Sequence, residues 1–323
     1  EVQWWYRNRL MQLGLDPWFH PSVAIHSPYA VHRVLIHKAL AYARAHRLRV
    51  TAHFMESPAE REWLDRSEGE FKPFFETFLR QSRPANAPLE FLECFEGLPT
   101  LFTHAVQAND DELTLLREGG HTLIHCPISN RLLGNGALNL TRLDHKGVRW
   151  VCGTDGLSSN YTLDLFEEMK AALFMHHEQD LLPLAHQLWH SVTKRAAEAL
   201  GLNCGTIAEN YDADLLVARI DYEMNEQLLL HLLLRRPAIE SVYVQGNKVK
   251  GYRMMEWIEK TGSLVAGGIT FIQEHFKATV LVLLVLWILI PTGEESITPH
   301  NLQKVALVGP ILDATPILEQ LEE

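Results

Sequence analysis

Cysteine is scarce in this chain and widely scattered: Cys94, Cys126, Cys152 and Cys204 are the only four among 323 residues. No two of them form a C-x-x-C pair, which excludes a disulfide framework and a cysteine zinc site and suits a reducing compartment. Positive charge is also short. Lysine and arginine number 29 against 40 aspartates and glutamates, a formal charge of −11. That balance excludes nucleic acid as the main partner, because a phosphate backbone has to be neutralised by cations. Glycine (19) and proline (15) are too few for a collagen-like or low-complexity chain, and 47% hydrophobic residues supply a large packed core. An initiating Met is absent too. Residues 1–12 read as a helix already under way with no secretory pattern, so a missing N-terminal portion is expected.

What is abundant is a repeating unit of short apolar strand, polar turn and helical stretch. Strands are expected at residues 23–26, 49–54, 101–106, 121–127 and 149–155. On the helix after the first, Val31, Leu35, Ala39 and Tyr42 share a face. Helical material is expected around residues 60–64 and 74–80, and Asn109 with Glu112 three residues on has capping-box spacing. A later helix carries Leu165, Phe166, Met169 and Leu173 on one side. Strands alternating with helices imply parallel pairing and an α/β fold.

Each strand ends in a histidine or an aspartate: His26, His53, His104, His125 and Asp155. In a doubly wound sheet only the strands at the switch point meet one ligand, whereas in a (β/α)8 barrel all C-terminal tips converge. Convergence favours a TIM-type barrel lacking its first three strands, over residues 1–200. Short β-rich pieces at 214–218, 241–244 and 248–249 then suit a small β-sandwich subdomain over 201–251.

Long hydrophobic runs are missing except for one, residues 278–290, whose sole polar side chain is Thr279. Extended to about residues 271–290 it approaches the ~20 residues of a membrane helix. Lys260 and Lys277 before it, against Glu294 and Glu295 after it, favour a cytoplasmic N-terminal side. A cytoplasmic part tethered to the inner face of a membrane is the expectation.

Five segments carry a resemblance when taken in order: Ala24–Tyr29, Thr51-Ala52-His53-Phe54-Met55-Glu56, Phe102-Thr103-His104-Ala105, Cys126-Pro127-Ile128-Ser129-Asn130, and Gly153-Thr154-Asp155-Gly156 through Ser159-Asn160. Together with Gly205-Thr206-Ile207 to Asp214-Leu215 they resemble the amidohydrolase superfamily, in its purine-ring deaminase branch. The resemblance implies one divalent metal, zinc with iron(II) as the alternative. His53 and Asp155 would be metal ligands, and Asp155 would also accept the proton of the attacking water. His104 would hydrogen-bond the attacking oxygen, Glu56 would protonate the ring nitrogen and contact the substrate, and His26 and Ser159 would also contact it. The plainer readings are polar groups satisfied in the core for His53, His104 and Asp155, and a helix cap for Glu56. His125, His176 and His177 read as solvated or structural, and Cys126 as a small buried residue.

The stretches 24–32 and 53–64 look most like the aminofutalosine deaminase group of the alternative menaquinone route, which implies 6-amino-6-deoxyfutalosine as the small-molecule substrate. Adenosine- and S-adenosylhomocysteine-type deaminases are the near alternative. The superfamily's His-x-His pair at its first strand is absent from all 323 residues. One histidine and one aspartate fall short of the three protein ligands of a catalytic zinc site, so this chain alone is expected to turn over little. Residues 252–323, with Phe271-Ile272-Gln273-Glu274-His275-Phe276-Lys277 and Val308-Gly309-Pro310-Ile311, resemble the membrane anchor of a protease IV signal peptide peptidase. The reading of another class is therefore an inactive, membrane-anchored fusion fragment.

Overall fold

A computed structural model describes residues 22–222 and 224–249. Five parallel strands form one sheet: β1 (Ser22–Ile25), β2 (Arg49–Phe54), β3 (Leu101–His104), β4 (Thr122–His125) and β5 (Arg149–Cys152). Their spatial order is the sequence order, β1-β2-β3-β4-β5. There is no reversal of strand order and hence no switch point. A singly wound sheet with right-handed crossovers keeps its helices on one face, which is the geometry of a barrel arc. Among the described residues the arc is open, with β1 and β5 as its edges.

The alternation in β2 shows how the two faces differ. Val50, Ala52 and Phe54 are buried in the hydrophobic core, whereas Thr51 and His53 are only half-buried on the opposite face. Helix α1 (Arg33–His46) covers the first side, with Ile36, Leu40 and Ala43 fully buried. This corrects the expected stripe, since Leu35 is 58% exposed while Val31 and Ala39 only flank the core. Both stripes are apolar in sequence and lie one residue, about 100°, apart; packing on β1 and β2 selects the Ile36 side.

The helices that follow, up to residue 200, are α2 (Pro58–Arg66), α3 (Phe71–Phe78), α4 (Pro88–Glu93), α5 (Asp110–Glu118), α6 (Pro127–Leu132), α7 (Leu140–Lys146), α8 (Leu165–Met175), α9 (Leu181–Val192) and α10 (Lys194–Leu200). The capping box forms at α5: Asn109 Oδ1 accepts from the Glu112 N–H, and Glu112 accepts from the Asn109 N–H at 2.8 Å. On the covered face Phe54 stacks on Phe91, and Phe102 meets Phe54, Phe91 and Phe95 edge to face, Phe95 at a ring separation of 5.0 Å.

A separate antiparallel sheet follows: β6 (Leu215–Arg219), β7 (Ala238–Val244) and β8 (Asn247–Val249), with a bulge between Val217 and Ala218. Between β6 and β7 lies α11 (Leu228–Arg235), an element with no counterpart in the sequence reading. It is tied down by its fully buried Leu233 and by the Trp189 Nε1–H, which donates to the Leu229 carbonyl at 3.0 Å. No helix among the described residues is long and apolar enough to cross a membrane. The hydrophobic helix expected at 271–290 lies outside the described residues, as does the rest of 252–323.

Candidate active site

Three strand tips leave the sheet through an uncommon backbone conformation. Met55 follows β2 with φ +50°, His104 and Ala105 end β3 with φ +75° and +52°, and Asp155 follows β5 with φ +59°. None is glycine, and each left-handed residue of this kind costs on the order of 1–3 kcal/mol that its surroundings must offset. Backbone bonds between tips supply part of that: the Ala105 N–H donates to Phe54 O (2.8 Å) and the Gln107 N–H to Met55 O (2.9 Å). The bends turn His53, Glu56, His104 and Asp155 toward one another.

His53, His104 and Asp155 offer three ligand atoms all within 4.8 Å of one another. The His53 Nδ1–H donates to the His26 carbonyl at 3.1 Å, which can only accept, so His53 Nε2 keeps its lone pair for the cluster. His104 Nδ1 likewise bonds Asn130 Oδ1 at 2.9 Å. Its Nε2 lies 3.6 Å from Glu56 Oε1 and 3.6 Å from Asp155 Oδ2. One carboxylate and two imidazole lone pairs that converge, with the Glu56 carboxyl beside His104, call for a positive charge, and a His/His/Asp donor set suits zinc. The sequence reading counted two donors; the fold brings three together.

Asp155 is the most heavily supported of these groups. Its Oδ2 accepts from Ser129 Oγ (2.7 Å) and Ser159 Oγ (3.1 Å), and its Oδ1 from the Gly156 N–H (2.7 Å). Burial alone would raise its pKa, but these donors and His104 outweigh it and hold the carboxyl below its ordinary value. Ser159, expected to touch substrate, here spends its hydroxyl on Asp155. Glu56 is not a helix cap, because Ser57 caps α2; its Oε1 instead accepts from Asn135 Nδ2 at 3.1 Å. His26 stands beside the cluster, its ring 5.5 Å from that of His53.

His125 ends its strand as expected but joins no donor cluster among the described residues. It is fully buried, with Nε2 3.1 Å from His176 Nε2. Burial and the neighbouring imidazole lower its pKa, so the pair is a neutral structural contact. Cys126 and Cys152 are buried thiols pushed up in pKa by burial and are no nucleophiles.

Several supporting residues escaped the sequence reading. Ser129 and Asn130 lie in the segment 126–130 that carried the resemblance, yet had no role attached; Asn135 gave no signal. Glu168, on α8 and fully buried, accepts from the Ile128 N–H (3.1 Å) and from Asn160 Nδ2, whose amide also reaches Thr154 O (2.6 Å). It thereby ties the start of α6 to the loop that carries Asp155.

Burial pushes Glu168 up to about 7, so between about pH 4.5 and 7 the fold keeps a proton that the unfolded chain releases. That acid therefore gains stability for the fold as pH drops through this window. His121, pushed down to about 4 by burial and Arg149, acts oppositely and loses stability below about pH 6.5. Glu168→Gln should accordingly steepen the acid loss, widening the pH 7 to pH 5 difference in urea-unfolding free energy by about 2 kcal/mol. An unchanged difference would refute the assignment.

The family model of the amidohydrolase family matches residues 13–249. The chain belongs to the amidohydrolase family. It is 46% identical over 232 residues to the aminodeoxyfutalosine deaminase of a Nitratiruptor species, covering 71% of this chain and 57% of that protein. It is 34% identical over 237 residues to the adenosine deaminase of Helicobacter pylori, again with 71% and 57% covered. The crystal structure of Helicobacter pylori aminofutalosine deaminase in complex with methylthio-coformycin superposes with a TM-score of 0.71 at 33% identity, covering 75% of this chain and 60% of that one. The chain thus spans 57% of the length of these two curated relatives.

Proposed function

We propose that this amidohydrolase chain carries the acid–base machinery of a hydrolytic deaminase, which replaces the exocyclic amine of an aminopurine nucleoside by oxygen and releases ammonia. 6-Amino-6-deoxyfutalosine is the substrate favoured, on 46% identity to the aminodeoxyfutalosine deaminase. Adenosine-type nucleosides are the near alternative, favoured by the likeness to the adenosine deaminase. In this reading residues 1–200 are the barrel part and 201–251 its β-subdomain, with 252–323 a separate segment.

The observation that carries the proposal is the pair of carboxyls flanking one imidazole, Glu56 Oε1 and Asp155 Oδ2 each 3.6 Å from His104 Nε2. Hydrolysis of a cyclic amidine needs a base for the water and an acid for the ring nitrogen, at opposite sides of the reacting carbon. Asp155, held below its ordinary pKa, is the base. Glu56, steadied by Asn135, is the acid. His26, at the exposed rim, contacts the substrate, and Ser159 does so while bonded to Asp155.

His53 and Asp155 would hold one divalent cation, zinc ahead of iron(II), with His104 as the third donor available. Bound there, the cation supplies Lewis acidity that makes water a competent nucleophile at neutral pH.

The test is zinc content after metal loading, followed by ammonia release from the two nucleoside classes. One zinc per chain is expected, lost in His53→Ala by at least about 100-fold in affinity. The absence of His-x-His favours the contrary reading of a catalytically silent fragment. Failure to retain zinc, with no ammonia released at saturating zinc, would establish that silent reading and sink the deaminase one.

A further inference from the structure

Glu60 is one of the most deeply buried charged groups in the described part of the chain, with 1% of its surface exposed. Its place is the first turn of α2, three residues after the cap residue Ser57, whose Oγ accepts from the Glu60 N–H at 3.1 Å. At that spacing a capping box would send the glutamate side chain back to the N–H of the cap itself. Glu60 does something else. Its Oε2 accepts from the Glu56 N–H at 2.7 Å and its Oε1 from the Met55 N–H at 3.1 Å, one and two residues beyond the cap.

Those two amides belong to the bend that turns Glu56 out of the line of β2. Met55 is left-handed there, at φ +50°, and its carbonyl is held from the other side by the Gln107 N–H. Left without partners, two adjacent buried N–H groups would each carry a desolvation cost, and the bend would have no reason to persist. A carboxylate is the one side chain with an acceptor for each. Glutamine would present an NH2 donor to one of the two N–H donors, and aspartate is a methylene short of reaching both.

We propose that Glu60 is the positioning residue for Glu56: by accepting the Met55 and Glu56 amides together, it holds the tip of β2 in the bend that directs Glu56 toward His104 and the substrate. The inference rests on the deaminase reading for its catalytic consequence, and on the geometry of the β2 tip alone for the rest. Burial and charge around Glu60 work against its ionised form, and the two amides it accepts are what offset them. Burial pushes its pKa up to about 7, the two backbone amides work against that, and Glu56 and Tyr29 face it. Arg61, next in sequence, is turned to Asp65 and Glu112 and leaves Glu60 without an ion pair among the described residues.

The experiment compares the zinc-loaded wild-type chain with Glu60→Gln and, as a second buried carboxylate with a capping role, Glu112→Gln. Amide hydrogen exchange is read at Met55, Glu56, Trp63 and Leu64, and kcat and KM are measured with adenosine as the probe nucleoside. In Glu60→Gln the Met55 and Glu56 amides should exchange at least about 30-fold faster, while Trp63 and Leu64 change less than about threefold. There kcat should fall about 10- to 100-fold with KM within about threefold, and Glu112→Gln should reproduce neither effect. Unchanged exchange at Met55 and Glu56 overturns the proposal. So does loss of protection along the whole of α2, which would mean a helix cap and nothing more. A wild type that releases no ammonia from adenosine or from 6-amino-6-deoxyfutalosine defeats the deaminase reading instead, and the exchange result still decides whether Glu60 holds the bend.

Discussion

Asp155→Asn is expected to lower ammonia release from the zinc-loaded chain by at least about 10³-fold, the largest effect of any single substitution in the site. Asparagine keeps the shape of the side chain and one acceptor oxygen, so Gly156 can retain its bond, but the negative charge and the proton-accepting ability are gone. General-base catalysis is worth about 10²–10⁴-fold on its own. In the proposed reading the loss of a charged metal donor adds to that, because one of the three donors that converge within 4.8 Å among the described residues is weakened. The two hydroxyls that now donate to Oδ2, from Ser129 and Ser159, would meet an amide in its place. The measurement is kcat/KM alongside zinc content. Activity within tenfold of wild type, at full zinc occupancy, would remove Asp155 from the role of base.

Phe102→Ala is expected to cost about 3–5 kcal/mol of folding free energy, read as a shift of the urea midpoint or of Tm. Phe102 sits on β3 two residues before His104 and is fully buried. Its ring meets Phe54, Phe91, Phe95 and His121, at separations of 5.0 Å to Phe95 and 5.1 Å to His121. The neighbours come from β2, α4, the turn after α4 and the start of β4, so they cannot move inward together to fill the space. A cavity remains, and its cost adds to the lost transfer energy. A loss under about 1 kcal/mol would mean that this aromatic cluster is far more pliable than its packing implies. The same substitution should reduce activity mainly through the folded fraction, since Phe102 pairs with Ala52 on the core face of the sheet, opposite to His53.

Much of this organisation was legible from the residues. The five strands, the capping box at Asn109 and Glu112, and the polar residue at each tip follow from period-two and period-3.6 patterns and from short-range hydrogen-bond chemistry, which act over a few residues. The α1 face was misplaced by one residue because two apolar stripes coexist on that helix, and only contact with β1 and β2 discriminates between them. Glu60 and Glu168 were passed over for a different reason. Burial and two specific donors set them apart, and neither quantity has a local signature: both look like surface glutamates on amphipathic helices.

The site divides in the same way. Sequence alone determined which chemical groups are available and that they stand at strand ends, because residue identity and strand periodicity are local properties. The tertiary structure decided that His53, His104 and Asp155 meet within 4.8 Å while His125 pairs with His176 instead. It also decided that Ser159 bonds Asp155 and that Glu56 is free of any capping duty. Those outcomes depend on strand order, on four left-handed residues at three tips, and on which N–H groups are left needing acceptors. All three arise only when distant segments are brought side by side.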